Sequence, residues 1–293
     1  MRRRPLKSRV RSAGRAAKSR AAPPRATPKP RQYLMESALE AERLEAKTDS
    51  ERVRHRLELV GLRPGMRALD AGAGTGAVAR VMAEMVGPQG EVIALDFSLD
   101  RTRHGSRLAK GSGVDNLSFV VDDLYSPGLR EKSFDFVWCE FIFEYLADPD
   151  AVLAQLAALV RPGGKLVVGD LDGNGTFHYP ISPELESSVG KLQDALEGSF
   201  DPYAGRKLYH RFHKLGLVPN SVHLLPYHLY AGSIPAGDLM NWKAKLGALR
   251  ARAPSAVGGT QAFDRLAKGF LDLLQSPEVL TYSVLFLVEW TRP

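Results

Sequence analysis

The sequence predicts an α/β fold with a doubly wound, mostly parallel sheet. Three observations carry this. Short apolar segments of strand length alternate with helical ones between Met66 and Leu171. Three glycines fall within five residues where the first of those strands ends, in "LDAGAGTGA". Strands that read as near-continuous apolar runs belong to a parallel sheet covered on both faces, and right-handed crossovers then place the helices. In such sheets ligands bind at the carboxyl ends of the strands.

The elements follow in order. Residues 1–31 hold twelve of the 40 Lys and Arg residues, five prolines and no acid. This tail buries too little to offset its ordering entropy and is expected to be disordered. The remaining chain carries 28 basic against 33 acidic residues, so the net charge of +7 belongs to the tail. Residues 32–61 read as two helices that break near Thr48 to Ser50, ended by Gly61 and Pro64. Residues 62–172 alternate: strands "MRALDA", "EVIALD", "LSFVVD", "FDFVWC" and "KLVVGDL", with helices near 75–86, 98–111 and 149–160. Beyond Leu171, residues 173–293 offer a helical stretch over about 182–215, a strand over about 219–230 and two helices. A final strand follows in "TYSVLFLVEW". The surplus helices are expected to form a lid over the carboxyl edge.

Composition excludes some classes. No apolar run reaches the ~20 residues of a membrane helix. Cys139 is the single cysteine, so neither an intrachain disulfide nor a cysteine metal cluster can form, which suits a reducing, cytoplasmic setting. The tail leaves three readings open: contact with nucleic acid or acidic membranes, a transit peptide, or a solvated extension.

In the glycine turn, Gly72 permits the tight bend and Gly74 lets a ligand approach the backbone. Gly76 leads into a helix whose amino end favours negative groups. With Ala77 the run also satisfies the relaxed dinucleotide pattern. Asp70 separates the cofactors. A pyrophosphate ~5 Å from it would be repelled by roughly 3 kcal/mol at an effective dielectric of ~20. The ammonium group of S-adenosyl-L-methionine would be welcomed instead. Asp96 can accept a ribose's two hydroxyls and Phe97 can lie beside the base, in either cofactor.

These residues resemble a family. "LDAGAGTG", "VIALDFS", "NLSFVVDDL", "SFDFVWCEFIFEYLADP" and "LVRPGGKLVVGDLD" are similar, in order and spacing, to the motifs of class I S-adenosylmethionine-dependent methyltransferases. Within that family they are nearest the ubiquinone and menaquinone biosynthesis group. The resemblance covers roughly Leu62 to Asp172. It implies a seven-stranded Rossmann-like sheet with the last strand antiparallel, S-adenosyl-L-methionine as cofactor and a small-molecule methyl acceptor. It leaves nucleic acid contact to the basic tail and names no oligomeric state. It carries the adenine-contacting acid to Asp122 or Asp123, of which Asp123 fits the count from both flanks, with the Leu124 backbone beside it. It also brings Glu140, after the fourth strand, to the cofactor. Cys139 reads as a small buried filler.

Departures mark where the family's roles do not transfer. Arg101 and Thr102 stand where an apolar pair is usual, which predicts a more polar pocket rim. Glu144 and Tyr145 replace two histidines. No Asp-Asn pair follows the fifth strand, so no metal is expected. Tyr33 and Arg43, in the amino-terminal helical cap, are candidates for the cofactor's carboxylate. Methyl transfer needs chiefly proximity. For a base, should the acceptor require one, the candidates are His178, Tyr179, Glu144, Tyr145, His210 and His213, with no catalytic residue assigned. Two alternatives remain. One is a nicotinamide oxidoreductase, for which Tyr203 and Lys207 stand four apart. The other is a protein that binds S-adenosylmethionine or nucleic acid without small-molecule methylation.

Overall fold

A computed structural model of the chain describes residues 33–35, 40–250 and 254–293. The basic tail therefore lies outside the described residues. Two helices open the fold, α1 (Glu40–Lys47) and α2 (Ser50–Leu59). They part at Thr48 because Asp49 turns away from helical geometry and caps α2, accepting from the amides of Glu51 and Arg52.

The sheet is built from β1 (Arg67–Ala71), β2 (Glu91–Asp96), β3 (Leu117–Val121), β4 (Phe134–Glu140), β5 (Val160–Tyr179), β6 (Ser221–Ala231) and β7 (Leu280–Thr291), in the order β3-β2-β1-β4-β5-β7-β6. β1 to β5 pair in parallel, and β7 runs antiparallel between β5 and β6. The expected seven-stranded sheet with its last strand reversed is the fold found. The helices are α3 (Ala77–Val86), α4 (Leu99–Gly111), α5 (Pro149–Leu159), α6 (Pro183–Ala195), α7 (Ala204–Lys214), α8 (Ala236–Arg250) and α9 (Thr260–Leu274). The sheet separates two apolar layers. One centres on Leu153, Leu156 and Phe212, the other on Leu57, Met82 and Trp138.

Two expectations need correction. The helical stretch over 182–215 is two helices, α6 and α7, broken at 196–203 where Gly198 takes a left-handed φ of +76°. The fifth strand does not stop at Leu171. It runs on through "DGNGT", where Gly173 and Gly175 adopt φ of +77° and +73° within a bulge, and pairing to β7 resumes at Phe177.

β6 is an edge strand, where Pro226 is tolerated, and its register also slips between Pro226 and Leu229. Both irregularities face the same point of β7. Val284 pairs with Asp172 and Pro226, and Tyr282 pairs with Phe177 and Leu229, so Ser283 lies between the two bulges. Beyond it the three strands continue past the carboxyl edge. There α6, α8 and α9 pack a third apolar cluster around Trp242, Phe263 and Phe270. This is the lid.

Candidate functional site

A cavity of about 540 Å³ opens at the carboxyl ends of β1, β2 and β4, beneath α1, α2 and α8, within the range of small-ligand sites. Eight of the nine residues the sequence assigns to the cofactor line it: Asp70, Gly72, Gly74, Asp96, Phe97, Asp123, Leu124 and Glu140. Gly76 does not. It is the N-cap of α3, with φ +73°, and a Cβ there would come within 2.6 Å of the Phe119 ring. Its role is to let α3 start against β3.

The glycine turn is bare because its neighbours press on it. A Cβ on Gly72 would meet Ile142 Cδ1 at 2.4 Å, and one on Gly74 would meet Leu44 Cδ1 of α1 at 2.9 Å. An ion pair of 2.5 Å between Arg80 on α3 and Glu45 on α1 holds that cap helix in place.

Three carboxylates stand around the turn. Asp70 is buried and its Oδ2 has no hydrogen-bond partner among the described residues. Burial first, then the charges of Glu140 and Asp96, push its carboxyl up to about 8. Glu140 is held by Arg56 of α2, with Nε to Oε1 at 2.9 Å and a second guanidinium nitrogen to Oε2 at 3.1 Å. Burial nevertheless raises the Glu140 carboxyl, against the pull of Arg56.

Asp96 accepts from the Gly74 amide (2.8 Å) through Oδ2 and from the Ser98 amide (2.9 Å) through Oδ1. The same Oδ1 accepts from Arg101 Nε and a terminal nitrogen at 3.3 and 3.1 Å. The Arg101 guanidinium also lies 4.8 Å from the Phe97 ring centre and 5.2 Å from that of Tyr33. The polar rim expected from Arg101 is therefore an internally neutralised pair under two aromatic rings.

At the end of β3, Asp122 spends its carboxylate on the amides of Asp123 and Gly128. Asp123 uses only Oδ1, on the Tyr125 amide, which leaves it the freer acid at this edge. Tyr33 lines the cavity and donates to Glu40, whereas Arg43 is bound to Glu40 and Asn241 and does not reach the cavity wall. Cys139 is fully buried in the core, where burial raises its thiol.

The far half of the cavity is walled by Phe141, Tyr145, Tyr227, His228 and Tyr230, with Lys47 projecting from α1. Burial pulls the Lys47 ammonium down to about 8. Of the base candidates read from the sequence, only Tyr145 reaches this wall. His178 sits within β5, pairs opposite Thr281 and bonds its hydroxyl through Nδ1 at 2.9 Å. Its Nε2 is sealed without a partner. Glu144 is buried on Asn174 (3.1 Å), and Tyr179, His210 and His213 lie off the cavity. Sequence reading missed His228, Lys47 and Arg56. The only signal for the first was its position two residues after a proline in a predicted strand.

Residues 68–164 match the methyltransferase domain family. Over that span the chain is similar to the methyltransferases of that family. It is 30% identical over 174 residues to a ubiquinone/menaquinone biosynthesis C-methyltransferase of Ectopseudomonas mendocina, covering 59% of this chain and 64% of that protein. It is 33% identical over 154 residues to the enzyme of that name from a Shewanella species, covering 49% and 61%. The chain thus spans somewhat under two thirds of the length of these curated relatives. The fold is shared with a SAM-dependent methyltransferase from Aquifex aeolicus (TM-score 0.52, 16% identity, 87% of this chain and 97% of that one). It is shared too with a geranyl diphosphate C-methyltransferase from Streptomyces coelicolor A3(2) (TM-score 0.52, 15% identity, 88% and 87%). For this methyltransferase domain the oxidoreductase alternative loses its footing. Tyr203 and Lys207 lie off the cavity, and Lys207 is bound to Asp201 at 2.6 Å.

Proposed function

We propose that the cavity binds S-adenosyl-L-methionine and that the protein moves its methyl group to a small-molecule acceptor. The observation that carries this is Asp70: a buried carboxylate oxygen with no partner, beside two further carboxylates, at the glycine turn. A buried charge without a counterpart is costly. An ammonium group offsets that cost, and a pyrophosphate would add to it.

In this reading Asp70 and the bare backbone at Gly72 and Gly74 take the amino-acid end of the cofactor. Asp96 takes the ribose, Phe97 and Leu124 flank the adenine, Asp123 meets its edge, and Glu140 borders the sulfonium end. Bound there, the cofactor supplies an electrophilic methyl group. The chain's share is to hold the acceptor in line with it and to keep water out, which the lid and cap do. Among the described residues no helix is long and apolar enough to cross a membrane.

Calorimetry with S-adenosylhomocysteine tests the cofactor. Binding that weakens at least tenfold in Asp96→Ala supports it, and no binding at millimolar ligand ends it. Incubation of the protein with a labelled methyl donor and a metabolite extract identifies the acceptor.

A further inference from the structure

Resting on the methyl-transfer reading above, we propose that His228 is the general base of the reaction and that the acceptor is an aromatic or enolic hydroxyl compound. Three features place it there. The slip of β6 after Pro226 leaves Tyr227 and His228 out of register with β7 and on the cavity wall. The ring is fixed through Nδ1 to Ser283 Oγ at 2.8 Å, at the point both bulges face. It is enclosed by Tyr227, Tyr230 and Trp242, whose ring centres lie 4.6, 6.1 and 5.9 Å away. Among the described residues no group bonds Nε2, and unlike that of His178 it is not sealed off.

The surrounding charges select the acceptor. Lys245 and Asp238 on α8, Lys47 on α1, Arg52 on α2 and His178 on β5 face this region, with the Tyr227 and Tyr230 hydroxyls on β6 itself. Asp238 is engaged by the Tyr230 hydroxyl. Burial first, then Lys245 and Lys47, hold the imidazole well below its ordinary value, so it is neutral at pH 7. Glu140 and Glu144 also act on the Tyr227 hydroxyl, but Glu140 is tied to Arg56 and Glu144 to Asn174, which leaves Lys47 and Lys245 to oppose an ammonium acceptor and to stabilise an oxygen that gains negative charge, and the wall of Phe141, Tyr227 and Tyr230 suits an aromatic one.

The step balances as follows. The acceptor oxygen attacks the methyl carbon and forms the O–CH₃ bond with its electron pair. The sulfur–carbon bond breaks with its pair returning to sulfur. The O–H proton passes to Nε2 and later to solvent. A weakly basic imidazole suffices, because the hydroxyl becomes strongly acidic only as the new bond forms. For this, Nε2 must be bare, so the ring carries its proton on Nδ1 and donates it to Ser283.

Two measurements on the full-length protein test the assignment. Histidine ¹⁵N spectra are expected to show His228 neutral at pH 7 in the Nδ1–H tautomer; an Nε2–H tautomer or an imidazolium overturns it. With labelled donor and metabolite extract, His228→Gln is expected to lose at least a hundredfold in rate. It should also lose the acid limb of the pH profile, while it binds S-adenosylhomocysteine as the wild type does. Imidazole should partly restore His228→Gly, and His210→Gln should be unaffected. Wild-type rate and pH profile in His228→Gln overturn the base, and a labelled amine product overturns the acceptor class. A wild-type protein that labels nothing overturns the methyl-transfer reading and this assignment with it.

Discussion

Arg101 closes on Asp96 from one turn further along the chain, and the two share a buried site at the mouth of the glycine turn, 3.1 Å apart. The pair is almost fully enclosed, at 5% and 7% side-chain exposure, so the Asp96 charge draws on the guanidinium as well as on the two amides. Removing Arg101 takes a buried counter-charge from Asp96. Arg101→Leu is expected to cost about 3–5 kcal/mol in a urea melt, and Arg101→Leu with Asp96→Leu together less than the sum of the two single changes. Additive losses in that cycle would show that Asp96 is satisfied by the Gly74 and Ser98 amides alone.

Asp70 gives the protein a pH dependence of opposite sign to that of an ordinary salt-bridged acid. Its folded value, about 8, lies above the ordinary value of 3.8. The folded state therefore holds a proton that the unfolded chain has released, and stability falls as pH rises from about 4 to 8. Asp70→Asn should remove that slope and raise ligand-free stability at pH 8 by about 2 kcal/mol or more, read from urea midpoints at pH 5 and pH 8.

The same group predicts a proton coupling on binding. Where an ammonium group comes to rest against Asp70, the carboxyl must give up its proton. Titrating S-adenosylhomocysteine at pH 7 in buffers of different ionisation enthalpy should show release of up to one proton per ligand, and none in Asp70→Asn. Proton uptake, or no linkage in the wild type, would place the ammonium elsewhere.

Gly72 is constrained twice, by φ of +82° and by Ile142 against its α-carbon. Gly72→Ala should cost cofactor-site occupancy and about 1–3 kcal/mol of stability. Ile142→Ala in the same chain should relieve the clash but not the backbone term, worth about 1–2 kcal/mol for an L-residue in the left-handed region. Full recovery in the double variant would mean that contact alone requires glycine.

The sequence made the parallel half of the fold legible because each strand there ends in a residue with a chemical reason to be at the carboxyl edge: Asp70, Asp96, Asp123, Glu140. The places of Asp70 and Asp96 follow from local pattern and those of Asp123 and Glu140 from the family resemblance, and eight of the nine assigned residues meet on one cavity. The acceptor half was not legible, for a physical reason. A period-2 pattern places side chains only while register is unbroken. In β6 the slip after Pro226 turns Tyr227 and His228 toward the cavity, and in β5 the "DGNGT" bulge carries His178 past it into the lid. Arg56 and Lys47 escaped notice because their partners lie far along the chain. Glu140 is 84 residues from Arg56, and no helical periodicity encodes that meeting. Arg101 was read as rim polarity because its neutralising partner was already assigned to the ligand.

The cap is the element whose stability depends most on what lies beneath it. α1 has eight residues, too few to persist alone in water, so it stands on tertiary contacts. These are Leu44 over Gly74, Glu45 on Arg80, and the Glu40–Arg43 pair, whose guanidinium also reaches Asn241 of α8 at 2.8 Å. α1 also contributes Leu44, Lys47 and Thr48 to the cavity wall. Hydrogen exchange in ligand-free protein should therefore be faster in α1 than in β1 or β4, and should slow in α1 when S-adenosylhomocysteine binds. Arg43→Ala leaves Glu40 buried without its cation. It is expected to speed exchange in α1 and weaken the ligand about tenfold, a loss of roughly 1.4 kcal/mol, while the exchange of β1 and β4 stays as in the wild type. Equal acceleration across the whole sheet would instead make the pair a support of the global fold and the cap no separate unit.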